Sequence, residues 1–580
     1  MLRLKEYSED LLFHPSQSMG PIPPICDPDG IYPYESFVET FERPAFKSFK
    51  MVSIENEILK VVICPDLGGK VFSICFKREN KEVLYNSGSV KPVRILPRMA
   101  FLSGGIEVSF PISHSPVQIE PVHYEVKKVD NRLYVWCGEQ EVRNGLNWTV
   151  EFSLGDKDEF LTQRTVLLNP TNRTCSWMAW SNAAVPASED SQLHFPSGEV
   201  LVHGKDLEIM SWDDKSPHIA KDFSTMTGLF WNSSNYHSFG VYTPSKKVGL
   251  YHTGDKTEVP GIKLWTYGIG EDEKWAHQTA LAKESYIEIQ SGPIKDQSIT
   301  NELGPGEKRI YHDFWIPSLE PKNIKDIKLP IINLVSVEEI PIFGFVKQRK
   351  SIIPWDILQE AFKSNDPTLI PIPPNPLENI WPPSGMKNLD LCLRWAMDQK
   401  SGADKERWQY YLGVLYAAYE DYDNALQILQ GTSLDMAYVV SARICSRIMN
   451  NPEKALNVIN RISSPAIMLH PQIVEERDLI LSSFGETSLE ERGQWLDMVS
   501  ALKDDRLIER RIAYHLDMKD VTSAKQLFNE AKFSLVHQRY TRTELWKKLQ
   551  KMLGVTDINE IQAELGEDEL AAFGKYRVNH

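Results

Sequence analysis

The sequence predicts a two-part chain: a large antiparallel β-sandwich followed by an array of helical repeats. Three observations predict it. Short runs rich in β-branched and aromatic residues recur between turn residues from about residue 46 to 317, with few helical windows among them. Proline then becomes dense, ending in LIPIPPNPLENIWPPSG. After it, RWQYYLGVLYAAYEDYDNALQILQ carries apolar residues at i, i+3, i+4 and i+7, the period of an amphipathic helix.

Taken in order, residues 1–45 read as an N-terminal extension and 46–317 as the sandwich. The first strands lie in FKSFKMVSIENEILKVVICPDLGGKVFSICF, broken by Pro65-Asp66 and Gly68-Gly69. RLYVWCGEQEV, LNWTVEFSL, FLTQRTVLLN, HSFGVYTP, KVGLYHT, IKLWTYGIG and SYIEIQSG continue the pattern. Residues 318–385 read as a proline-rich linker that wraps against one or both domains, because proline fixes φ and lacks the donor that ladders need. Residues 386–580 read as helical repeats.

Composition narrows the function. The 580 residues hold 79 acidic and 64 basic side chains, a formal charge of −15, so a broad basic face for nucleic acid is not expected. No apolar run reaches the ~18 residues a membrane span needs, and the N-terminus lacks a sustained apolar core for a signal peptide. Seven scattered cysteines without a CxxC pair point to reduced thiols and a cytoplasmic protein. Neither a zinc-binding HExxH nor a phosphate loop nor a Gly-x-Ser-x-Gly elbow occurs, so no metal and no cofactor are expected; the GGK at 68–70 lacks the rest of a phosphate loop.

Three stretches of the β region resemble the galactose-mutarotase-like supersandwich. LLNPTNRTCSWMAWSNAAV leads to Asn182, PGIKLWTYGIG is similar to the strand passing beside the sugar, and SYIEIQSGPIKDQSITNELGPGEKRIYHDFWIP resembles the closing segment. The resemblance implies that Glu288 is a general base, with Gln290 after it. Mutarotases place an acid histidine four residues before the asparagine; this chain has Met178 there. A nearer resemblance is to a mainly bacterial family joining such a domain to tetratricopeptide repeats, through Ser103-Gly104-Gly105-Ile106-Glu107, Phe110-Pro111, His114 and Pro121 to Tyr124. In the helical region Leu412, Gly413, Tyr416 and Ala425 follow the tetratricopeptide spacing, and Ala455 and Ala524 resemble the same small position in later units.

Glycoside chemistry needs a proton donor at the leaving oxygen and a carboxylate that attacks the sugar or activates water. Glu107 and Glu288 are the candidates. Strand alternation puts Glu288 and Gln290 on one face, opposite Ile287 and Ile289. Glu107 follows a double glycine on an apolar strand, and burial there is expected to raise its pKa, as suits a general acid. His114, His123, Trp180, Asn182, His203, Lys263, Trp265 and Gln290 are the candidate substrate-binding residues, the tryptophans by stacking on sugar faces. The expected function is a glycoside hydrolase acting on small glycosides or oligosaccharides. The alternatives are an aldose epimerase with a relocated histidine, or a non-catalytic carbohydrate-binding scaffold. The repeats are expected to wall the pocket or hold a homo-oligomer.

Overall fold

A computed structural model describes residues 2–22, 25, 32–39, 43–93, 101–112, 114–203, 208–223, 226–267, 269, 284–296, 298–347, 353–378, 380–533 and 538–555. The end of the expected repeat region, 556–580, and Cys26 lie outside them. The β half is a sandwich of a twelve-stranded and an eight-stranded sheet. Strands in the larger sheet run in the order Arg3–Phe13, Ala45–Glu55, Leu59–Cys64, Lys70–Phe76, Ile106–Ser109, Trp180–Pro186, Tyr286–Gly292, Gly261–Thr266, Thr227–Trp231, Gly198–Val202 and Ile209–Trp212, with the short Lys81–Glu82 beside Lys70–Phe76. All of these pair antiparallel.

Between the sheets, alternate side chains interdigitate. A buried polar knot pins them there: the fully buried His252 and Asp313 meet at 2.8 Å, and Gln163 donates to Ser181 at 2.7 Å and accepts from the Trp315 indole at 2.9 Å. The outer face of the smaller sheet is roofed by the segment after it. Glu151 takes bonds from Trp136 and Arg164, while Arg164 also donates to the Val335 carbonyl and Asn147 to that of Phe343. The expected linker is thus packed cover.

Two expected boundaries shift. Arg3–Phe13 is the edge strand of the larger sheet, paired along its whole length with Ala45–Glu55, so the first residues belong to the sandwich. RLKEYSEDLLF hides this because an edge strand facing water tolerates charges on both faces. The helical half starts at Trp355, inside the expected linker, where Trp355, Leu358 and Ala361 are buried at helical spacing. Pro354 and Pro367 bracket this helix, which is where proline is tolerated.

Antiparallel helix pairs follow. Gly402–Ala418 packs on Tyr422–Gln430, and a Cβ on Gly413 would lie 2.6 Å from Leu429, which explains the small residue. Ala425, Ala455 and Ala524 are fully buried in the second helices of their pairs. Asp421, Asn451 and Asp520 cap those helices by accepting backbone N–H groups three residues on. The two halves meet at turns of the smaller sheet: Arg173 lies 4.1 Å over the Tyr419 ring and donates to the Ser384 carbonyl.

Gly105 is the tightest point of the strand that carries Glu107. Its φ is +70°, and a Cβ would fall 2.2 Å from the Val71 carbonyl oxygen. Its own carbonyl accepts from Ala184 and its amide donates to Tyr85, so it cannot back away. Gly105→Ala is expected to lose about 3 kcal/mol of stability, from strain and backbone displacement together. A denaturant midpoint unchanged from wild type would contradict this.

Candidate active site

The outer face of the larger sheet carries a polar row. Asn182 lies opposite Glu107 on one side and Gln290 on the other; Gln290 lies opposite Lys263, and Lys263 opposite Phe230. Two residues along, Glu288 lies between Ala184 and Trp265. At about 4.8 Å per strand and 3.3 Å per residue, the two glutamate Cα atoms stand about 12 Å apart, a span their side chains narrow from both ends. Asn182 stands on the strand between them and donates to Glu107. Each of Glu107, Asn182, Lys263, Glu288 and Gln290 is 5% exposed or less. Alternation in the strands, two of them fully buried, puts these polar groups on one face and Ile106, Ala183, Ile289 and Leu264 in the core.

Glu107 is held by three donors. The Ser115 amide bonds one oxygen at 2.8 Å, while the Asn182 amide at 3.1 Å and the His114 ring at 3.3 Å meet the other. Burial alone would push its carboxyl up, but His114 and these hydrogen bonds outweigh it and hold the pKa below the ordinary value. The expected rise at Glu107 is therefore corrected: partners, absent from any sequence pattern, overrule burial. Glu288 behaves oppositely. Burial, reinforced by the negative charge of Glu107, raises its pKa against the pull of His114, Lys263 and Tyr267. Gln290 donates to it at 2.7 Å.

Two buried lysines flank the pair. Lys263 sits in a box of Trp180, Phe230 and Trp265, its ammonium 5.0, 5.0 and 5.4 Å from the ring centres. Burial lowers its pKa against the attraction of Glu288 and Glu107. Lys70 donates to the Leu102 carbonyl at 3.0 Å, and burial lowers its pKa to about 8 against the same two carboxylates. Sequence reasoning missed Lys70 and Tyr267. A lysine opening the otherwise apolar strand KVFSICF was the available signal.

Of the ten candidates, Glu107, Glu288, His114, Asn182, Lys263, Trp265 and Gln290 come together. His203 joins them at the wall, its ring 4.9 Å from Trp265. Trp180 lies on this face but is fully buried beneath Lys263, so it offers no open surface for stacking. Gly261 and Gly292 make room for it: a Cβ on either would meet Trp180 within 3.2 Å. Part-exposed Trp265 lies flat over Gly228 and keeps that possibility. His123 sits elsewhere, on the smaller sheet, stacked on Phe343 with Nε2 3.3 Å from the Phe345 carbonyl. Among the described residues no cluster of His, Cys, Asp and Glu could hold a metal, and no helix is long and apolar enough to cross a membrane.

Two protein-family models match the chain. One, described as a domain of unknown function (DUF5107), matches residues 26–318; a second, described as a C-terminal domain, matches 355–549. Among solved structures the chain is similar to a TPR-domain containing protein from Parabacteroides distasonis, with 42% identity, 96% of each chain covered and a TM-score of 0.84. A galactose mutarotase-like protein from Lactobacillus casei matches at 11% identity, covering 46% of this chain and 99% of its own, with a TM-score of 0.35. The Slr1438 protein from Synechocystis matches at 12% identity, covering 47% and 96%, with a TM-score of 0.36.

Proposed function

This chain belongs to the DUF5107 family, and from that premise we propose that it is a carbohydrate-active enzyme, a glycoside hydrolase whose paired carboxyls are Glu288 and Glu107. One observation carries the reading. Two buried carboxyls share one sheet face across Asn182, and their surroundings push their pKa values apart. Such a split equips one group to give a proton and the other to act as an anion. Glu288, kept protonated, hands its proton to the glycosidic oxygen as the bond to the anomeric carbon breaks. Glu107, kept ionised, attacks that carbon or takes the proton of the attacking water. Asn182 and Gln290 each keep a buried side-chain oxygen with no hydrogen-bond partner among the described residues, and both suit sugar hydroxyls.

The test is a screen of the full chain against α- and β-linked aryl and natural glycosides, with Glu107→Gln and Glu288→Gln beside it. Turnover abolished or strongly reduced by both changes supports the pair. No turnover on any glycoside sinks the hydrolase.

A second reading, an aldose epimerase, draws on the His114 ring beside Glu107. It predicts interconversion of free sugar anomers or epimers with glycosides left intact. His114 also gives a finer prediction. His114→Leu removes a positive influence from Glu107, so the Glu107 pKa rises. The acid limb of a pH profile that needs ionised Glu107 then moves to higher pH. An unmoved limb would show that the hydrogen bonds from Ser115 and Asn182 suffice.

A further inference from the structure

Lys263 is the unexplained group of the site. A buried ammonium ordinarily meets an acceptor, because leaving its donors unmet is costly. Lys263 is 2% exposed and makes no hydrogen bond among the described residues; its ammonium faces three rings and feels Glu288 and Glu107 through space. The rings partly compensate the charge but accept none of its N–H groups as an oxygen would. It stands directly opposite Gln290, whose own side-chain oxygen is unpartnered, and beside Glu288 in the next strand. The other lysine, Lys70, already has its carbonyl.

We propose that Lys263 recognises an anionic group on the substrate, and that the sugar taken by this site is a hexuronic acid whose carboxylate meets the Lys263 ammonium. This rests on the carbohydrate reading above. The three rings stand against the ammonium and supply no oxygen acceptor, so its N–H groups are left for a partner from the ligand. One ammonium, three strands from ionised Glu107 on the same face, matches a monoanion. A phosphate dianion would bring two negative charges to the one lysine without an acceptor, Lys70 being held by the Leu102 carbonyl. Hydroxyls of the same ring then fall to Asn182 and Gln290.

The experiment has two readouts on the full chain. Turnover is compared on 4-nitrophenyl glucuronides and galacturonides against the matching glucosides and galactosides. Calorimetric binding is compared for glucuronate and galacturonate against glucose, galactose and glucose 6-phosphate. Both are repeated in Lys263→Met, whose unbranched apolar side chain suits the box, with a thermal melt to confirm folding. The expected result is an acid-to-neutral preference of roughly 10- to 100-fold, the worth of one charge-assisted hydrogen bond, falling to about one in Lys263→Met. If that variant does not fold, Lys263→Gln, which keeps a polar head and removes the charge, decides in its place.

Equal affinity for acid and neutral sugars overturns the proposal, as does a preference that survives Lys263→Met, or sugar phosphate bound above uronate. Turnover of neutral glycosides that depends on Glu107 and Glu288 without acid preference would sink this inference and leave the hydrolase standing. Selective uronate binding without turnover would do the reverse.

Discussion

Glu288→Gln is expected to slow glycosides with poor leaving groups by about 10²- to 10⁴-fold, the usual worth of a positioned proton donor. Dinitrophenyl glycosides should lose far less, because their leaving group departs without protonation. Glu107→Gln should slow both classes by about 10³-fold or more, since an amide neither attacks nor accepts the proton of water. The wild-type pH profile follows from the same two environments. Glu107, held low by His114 and its hydrogen bonds, sets the acid limb: activity rises as it ionises. Glu288, held high by burial, sets the alkaline limb: activity falls as it loses its proton. Steady-state kinetics of the two variants on matched poor and good leaving groups checks this. An equal loss on both classes in Glu288→Gln would remove Glu288 as the acid, and the reverse pattern would exchange the roles.

The second large effect lies in the helical half. Asp478 is fully buried on the helix Pro471–Ser482 and binds Arg492 and Arg510, both at 2.7 Å, from two further helices. Asp478→Ala leaves two guanidinium groups buried without their acid. Breaking a buried pair on one side costs about 3–5 kcal/mol. The lower part of that range is expected, because Arg492 keeps Asp517 at 2.7 Å and Arg510 keeps Glu509 at 4.0 Å. Urea unfolding followed by far-ultraviolet circular dichroism reads the helical half directly. A loss below 1 kcal/mol would mean that water reaches the arginines. Replacing Asp478, Arg492 and Arg510 together with Leu, Met and Met should recover part of the loss, since the buried triad goes as a unit and Asp517 keeps Lys548, while Glu509 loses Arg510.

The sequence carried much of this arrangement, and its failures have physical causes. Alternation around Glu288 and Gln290 was legible because period 2 is a local property of one strand. The meeting of Glu107 with Asn182 was not, since those residues are 75 apart and their register is set by the sheet. The sign of the Glu107 shift failed for the same reason: its partners lie on the turn at 114–115 and on a neighbouring strand. Trp180 and Trp265 look alike in sequence, yet one is walled in and the other part-exposed, a difference made by glycines on adjacent strands. His123 looked equivalent to His114 because nothing local says which sheet a strand joins. The edge strand at Arg3–Phe13 was hidden by its own charges.

Gly145 and Gly385 touch backbone to backbone: a Cβ on the first would stand 2.1 Å from the carbonyl oxygen of the second, and the Gly385 amide donates to Val142. A single hydrophobic core runs from the strands through the helices as far as Ile480. The two halves are therefore not cassettes. A cut in the connecting segment would strip one wall from each piece, so fragments made there should be sticky and poorly soluble. Grafting a different helical array onto this sandwich would need the seam at 141–146, 170–175 and 382–386 copied with it. What looks in composition like a fusion of two parts shares one core, and its halves stand or fall together.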